Sequence, residues 1–120
     1  MKEFSSSLGI DLVELKKARR FYFAHRSRLE HCLAPEEAAF VRRSRRRAEA
    51  LARVLAGKEA VLKALPPASQ TGPQTLRGIR MIPGKTRWSF RVPGKSPISL
   101  KRSRLSFFSN KRYVIALLTR

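Results

Sequence analysis

Cysteine is almost absent: Cys32 is the only one in 120 residues, so no internal disulfide and no cysteine-based metal cluster can form. That suits a reducing compartment. Acidic residues are scarce too, with 8 Asp and Glu against 27 Lys and Arg and a formal net charge of +19. A charge of that size calls for an anionic partner, which composition alone leaves open among nucleic acid, an anionic membrane face, a polyphosphate ligand and an acidic protein. Long apolar runs are also missing. Val114 to Leu118 falls far short of the roughly 20 residues of a membrane helix, and Met1 to Leu15 carries acids where a signal peptide needs an apolar stretch. The expectation is a soluble cytoplasmic protein with no membrane segment. With only 6 Gly, 7 Pro and a hydrophobic fraction of 42%, the composition is too apolar for a disordered tail, and residues 1–120 are expected to fold as one domain.

What is present divides into readable elements. Leu8 to Glu14 is a short β-branched apolar run with one carboxylate, Asp11, set inside it, which predicts a strand. Leu15 to about His25 is cationic with aromatics, and Pro35-Glu-Glu37 supplies a first-turn proline and acids that suit a helix dipole; both segments read as short helices. Ala48 to Leu65, rich in Ala, Leu, Glu and Arg and stopped by Pro66-Pro67, predicts the long helix of the fold. Pro66 to Gln74 reads as a loop. Leu76 to Ile82 and Thr86 to Val92 then predict a hairpin around Pro83-Gly84-Lys85, followed by a turn from Pro93 to Pro97. Leu105 to Phe108 and Tyr113 to Leu118 predict a second strand pair around Ser109-Asn110-Lys111. The sum is an α+β fold in which one long helix packs on a small antiparallel sheet. His25 and His31 lie in a polar segment without a metal-spaced partner, and Trp88 alternates with Phe90 as a core strand residue would.

At about 100° per residue, Leu51, Val54, Leu55, Val61, Leu62 and Leu65 share one face of the long helix, and Lys58 falls near the middle of it. Glu59 and Lys63 lie together at its margin. The plainer reading is that Lys58 snorkels out and that Glu59 and Lys63 form an ordinary helical pair. The other is a site. A carboxylate within an apolar strand needs a partner, so Asp11 and Glu59 can share one cation; oxygen ligands suit Mg²⁺, and the lysines would then meet a polyphosphate ligand.

Gly9-Ile-Asp-Leu-Val-Glu14 and Leu55-Ala-Gly-Lys-Glu-Ala-Val-Leu-Lys-Ala-Leu65 resemble the two signature segments of holo-acyl-carrier-protein synthases, the 4′-phosphopantetheinyl transferases. Leu33-Ala-Pro-Glu-Glu37 is similar to the segment between them, and Pro83-Gly-Lys85 and Ser106 to Leu118 stand where that family has its glycine turn and closing hairpin. The resemblance implies transfer of the 4′-phosphopantetheine arm of coenzyme A to a serine of apo acyl carrier protein, with release of adenosine 3′,5′-bisphosphate. Carried over by position, Asp11 and Glu59 would hold Mg²⁺, Lys58 and Lys63 would stabilise phosphate charge, and Glu59 with Lys63 would serve catalysis. Arg53, Lys85 and Ser109 occupy positions near the coenzyme A contacts, although Val54 stands at the family's arginine and Ser109 at its histidine. Lys16, Lys17, Arg19, Arg20 and Arg26 would dock the acidic carrier, and the family implies a homotrimer with coenzyme A between subunits. Two alternatives stand beside this: a basic nucleic-acid binder using the run from Arg42 to Arg47, and a silent relative that binds carrier protein or coenzyme A without transfer.

Overall fold

The computed structural model describes residues 8–64, 78–92 and 103–119. The chain enters as strand β1 (Leu8–Glu14), turns directly into helix α1 (Leu15–His25), and passes through a short 3₁₀ turn (Arg26–His31) to α2 (Pro35–Arg43) and the long α3 (Arg47–Ala64). Strands β2 (Arg80–Ile82), β3 (Ser89–Arg91), β4 (Arg104–Ser109) and β5 (Tyr113–Thr119) follow. This is the α+β arrangement the sequence predicts.

Among the described residues the strands form two antiparallel sheets, one of order β1-β5-β4 and one pairing β2 with β3. The first and last strands pair in the first sheet, where Gly9 lies opposite Leu118, Asp11 opposite Ala116 and Val13 opposite Val114. Strand alternation sends these residues, with Leu105 and Phe107 of β4, to the face that α3 covers, while Leu8, Ile10, Leu12, Ile115, Leu117 and Phe108 take the opposite face. The hairpin from β4 to β5 closes on Asn110, whose side-chain oxygen accepts the N–H groups of Arg112 and Tyr113, an Asx turn of the kind asparagine favours.

The core forms where α3 crosses this sheet. Leu51, Val54, Val61, Val114, Ala116 and Leu118 are all buried there, and Gly9 shows how tight the crossing is. A Cβ on Gly9 would overlap the Ala60 carbonyl oxygen, so β1 can lie this close to α3 only with glycine at that point. On the far side, α1 contributes Ala18 and Tyr22, and the Tyr22 hydroxyl accepts a hydrogen bond from Arg47 at 3.0 Å.

The hairpin of β2 and β3 differs from its predicted extent. Among the described residues β2 and β3 are three residues each, against the predicted Leu76 to Ile82, of which Leu76 and Arg77 lie outside the described residues, and Thr86 to Val92; Trp88 instead makes an isolated bridge to Leu105 of β4. Trp88 packs between Phe40 and Phe107, at centroid distances of 5.0 and 4.8 Å, which pulls this end of the run into the aromatic cluster and out of a longer ladder. The loop from Pro66 to Gln74, the turn from Pro93 to Pro97 and Leu65 at the end of the predicted helix lie outside the described residues. Among the described residues, no helix is long and apolar enough to cross a membrane.

Candidate active site

α3 carries two lysines to two different environments. Lys63 leaves the last turn toward β1, where its Nζ lies 2.7 Å from Asp11 Oδ1 and 3.3 Å from the Ile10 carbonyl oxygen. Asp11 points to the α3 side of the sheet with only 14% of its side chain exposed, whereas Lys63 is 52% exposed. The strand and the helix therefore bring Asp11 and Lys63 together at the rim of their crossing. Glu59 stands one turn before Lys63 on the same helical flank, half-buried, and no ion pair among the described residues engages it. The helical pair of the plainer reading does not form: Lys63 takes Asp11 in place of Glu59.

Lys58 goes the other way. Its side chain is 3% exposed and its Nζ sits 2.9 Å from Oε1 of Glu37, which is wholly buried. The same Oε1 accepts the Ala34 N–H at 2.8 Å, and Oε2 accepts the Met81 N–H at 2.7 Å. One carboxylate thus caps the start of α2, ties down Met81 in the middle of β2 and neutralises the lysine in the apolar face of α3. Lys58 has its partner in the interior and neither snorkels nor faces the Asp11 rim. Glu37 was legible only as a first-turn acid; the signal that could have found it was the cost of Lys58, which required a carboxylate somewhere in the core.

Of the remaining predicted residues, Arg53, Lys85, Ser109, Arg19 and Arg26 line two separate clefts. Arg53 and Lys85 line one of about 590 Å³, together with Phe40, Trp88, Arg104 and Phe107. The Arg53 guanidinium lies 5.9 Å from the Phe107 ring centre and 3.6 Å from Glu49, while its Nε is buried without a hydrogen-bond partner among the described residues. Ser109 lines the other, a cleft of about 1100 Å³ walled by Arg19 and Arg26, the run from Arg42 to Arg47, Tyr22, Phe23 and Lys111. Its hydroxyl is 3.1 Å from a Glu49 oxygen, so Glu49 connects the two clefts. Lys16, Lys17, Arg19 and Arg20 are exposed along α1, and Arg26 stacks over the exposed Phe23 at 5.5 Å. Val54 is fully buried in the core, so the place of the family arginine holds no cation here.

Among the described residues no three His, Cys, Asp or Glu side chains converge to cage a metal. The donor set offered at the rim is smaller, one strand carboxylate and one helix carboxylate. That fits Mg²⁺, which takes one or two protein carboxylates and fills its octahedron with water and substrate phosphate.

The model of the 4′-phosphopantetheinyl transferase superfamily matches residues 7–118, and the chain belongs to that family. Solved structures share its fold. Holo-[acyl-carrier-protein] synthase from Neisseria meningitidis superposes with a TM-score of 0.70 at 22% identity, covering 93% of this chain and 94% of that one. The Bacillus anthracis holo-(acyl-carrier-protein) synthase in complex with CoA (3′,5′-ADP) gives 0.71 at 19% identity, covering 96% and 95%. The Chronobacterium ammoniagenes enzyme in its CoA complex gives 0.69 at 24%, covering 93% of each chain. No curated protein matches the chain.

Proposed function

We propose that this protein is a holo-acyl-carrier-protein synthase that transfers 4′-phosphopantetheine from coenzyme A to a serine of apo acyl carrier protein. The observation that carries the reading is the contact of Asp11 with Lys63 at the β1/α3 crossing, with Glu59 one turn before Lys63 on α3, in a chain of this family. The serine oxygen forms a bond to the β-phosphorus, the pyrophosphate P–O bond breaks, and adenosine 3′,5′-bisphosphate departs with the electron pair. Glu59, half-buried and unpaired among the described residues, receives the serine proton directly or through a water. Lys63 meets the charge that develops on the phosphates. Asp11 and Glu59 would hold Mg²⁺, which supplies charge neutralisation on the pyrophosphate when bound.

Lys58 is assigned to the fold and not to substrate, because its ammonium is committed to Glu37 in the interior. Arg53 and Lys85 are the phosphate contacts of the smaller cleft, which both line. Ser109 and Glu49 border the larger one. The exposed cations of α1 and Arg26 steer the acidic carrier, an attraction that raises encounter rates and weakens with salt. The outward face of the three-stranded sheet, with Leu8, Ile10, Leu12 and Phe108 exposed, supports a homotrimer in which this apolar face is covered by neighbouring copies. A cytoplasmic location agrees with the single half-buried Cys32.

A second reading rests on the arginine-walled cleft with its exposed Phe23, which offers phosphate contacts and a stacking surface to single-stranded nucleic acid. The deciding experiment incubates the pure protein with coenzyme A, Mg²⁺ and a panel of apo acyl carrier proteins, and reads intact mass. A phosphopantetheine increment that requires Mg²⁺ and disappears in Glu59→Gln is the expected result. No increment from a folded protein would leave a silent relative, or the nucleic-acid binder if RNA affinity falls steeply with salt and ignores Asp11→Asn.

A further inference from the structure

Lys63 does not stand free to receive a phosphate. Its ammonium is already held by Asp11 Oδ1 at 2.7 Å and by the Ile10 carbonyl at 3.3 Å. The group assigned to the phosphate therefore occupies one oxygen of the carboxylate assigned to the metal. Both assignments rest on the function proposed above, and both cannot be satisfied in the arrangement the structure shows. The surroundings say which group yields. Asp11 is fixed in the middle of β1, opposite Ala116, with 14% of its side chain exposed, whereas Lys63 is 52% exposed on a long flexible stem at the end of α3.

We infer that Lys63 is an exchangeable counter-ion: it neutralises Asp11 while the site is empty and passes to a substrate phosphate when a divalent cation takes its place on the carboxylate. With its lysine half exposed, this ion pair is weak, so releasing the lysine costs little free energy. The ammonium keeps a carboxylate partner before the swap and gains a phosphate partner after it, while Asp11 is never left uncompensated beside the apolar core. The two ligands are thereby coupled, since the cation releases the lysine that the phosphate needs and the phosphate draws off the lysine that blocks the cation. By linkage, each strengthens the other by the same factor.

The test uses Mn²⁺ as the cation, with free Mn²⁺ read by electron paramagnetic resonance, and titrates the full chain with and without coenzyme A. Lys63→Met is expected to bind Mn²⁺ about three- to tenfold tighter than wild type without coenzyme A, having lost both the competitor and its charge. Its enhancement of Mn²⁺ binding by coenzyme A should be smaller than in wild type, keeping only the part that direct ligation of Mn²⁺ by the pyrophosphate supplies. Lys63→Arg separates competition from simple repulsion: it keeps the charge but can grip Asp11 with two N–H groups, and is expected to bind Mn²⁺ more weakly than wild type. Thermal melts confirm folding, which a half-exposed side chain puts at little risk.

Equal Mn²⁺ affinity and equal coenzyme A enhancement in wild type and Lys63→Met would overturn the exchange while leaving the metal site intact. Tighter binding in Lys63→Met with a wild-type value in Lys63→Arg would overturn it in favour of repulsion alone. If wild type binds no more Mn²⁺ than Asp11→Asn, the metal assignment itself fails and the exchange falls with it.

Discussion

Lys58 and Lys63 stand five residues apart on the same helix, and each meets a carboxylate within 3 Å, yet the two pairs have opposite characters. The Lys58–Glu37 pair is closed: both side chains are almost entirely buried, and Glu37 also accepts two backbone N–H groups, so every strong contact it makes is already satisfied. The Lys63–Asp11 pair is open, with a half-exposed lysine and a neighbouring carboxylate, Glu59, that no ion pair among the described residues engages. A closed pair has nothing left to offer a ligand and serves the fold. An open pair at the rim of two packed elements has a carboxylate and a cation that a ligand can take up. The difference teaches that the chemical role of a charged residue follows from how many of its bonds the fold has already spent.

The largest effect should come from breaking the closed pair. Glu37→Gln leaves a buried ammonium without its counter-charge and is expected to cost about 3–5 kcal/mol in urea unfolding. Pairing it with Lys58→Met removes the stranded charge, and the double variant should recover most of that loss. If the single variant costs under about 1 kcal/mol, Lys58 is not held as the structure has it, and the contrast with Lys63 collapses.

Glu59→Gln should do the reverse, lowering transfer by about 100-fold or more in an intact-mass time course while leaving the melting temperature near wild type. A loss of folding there would make Glu59 another structural acid. Next in size, Gly9→Ala sharpens the geometry of the open side. Its new methyl would meet the Ala60 backbone, which cannot step aside, at a cost of about 1–3 kcal/mol in denaturant unfolding, with Asp11 displaced and activity reduced. Gly57→Ala on the closed side meets chiefly the flexible end of Met81, at 2.7 Å, and should cost less than Gly9→Ala. The smallest effect belongs to Lys63→Met, whose exposed pair is worth about 0–1 kcal/mol of stability. An unfolding cost comparable with that of Glu37→Gln would show that the open pair is structural after all.

Much of the architecture was legible because its signals are local. The β-branched run before Glu14, the proline and acids at Pro35, the Ala-rich helix through Lys63 and the apolar alternation of Tyr113 to Leu118 each declare their element within a few residues, and each is present. The weak hairpin was overread: Trp88 carries a strong strand signal, but tertiary packing against Phe40 and Phe107 took it out of the ladder. Asp11 was visible as a candidate because a carboxylate inside an apolar strand is costly, and Glu59 and Lys63 because they border an apolar stripe.

What the amino-acid order determined by itself was which residues would be costly to bury and therefore needed partners: Asp11 in its strand and Lys58 in its helix face. It could not decide the partners. Only the folded chain placed Glu37 beneath Lys58 and swung Lys63 onto Asp11, away from its helical neighbour Glu59. The reason is physical: local periodicity sets which way a side chain points, while the group it meets is set by the packing of α2 and β1 against α3, through contacts between residues distant in the chain.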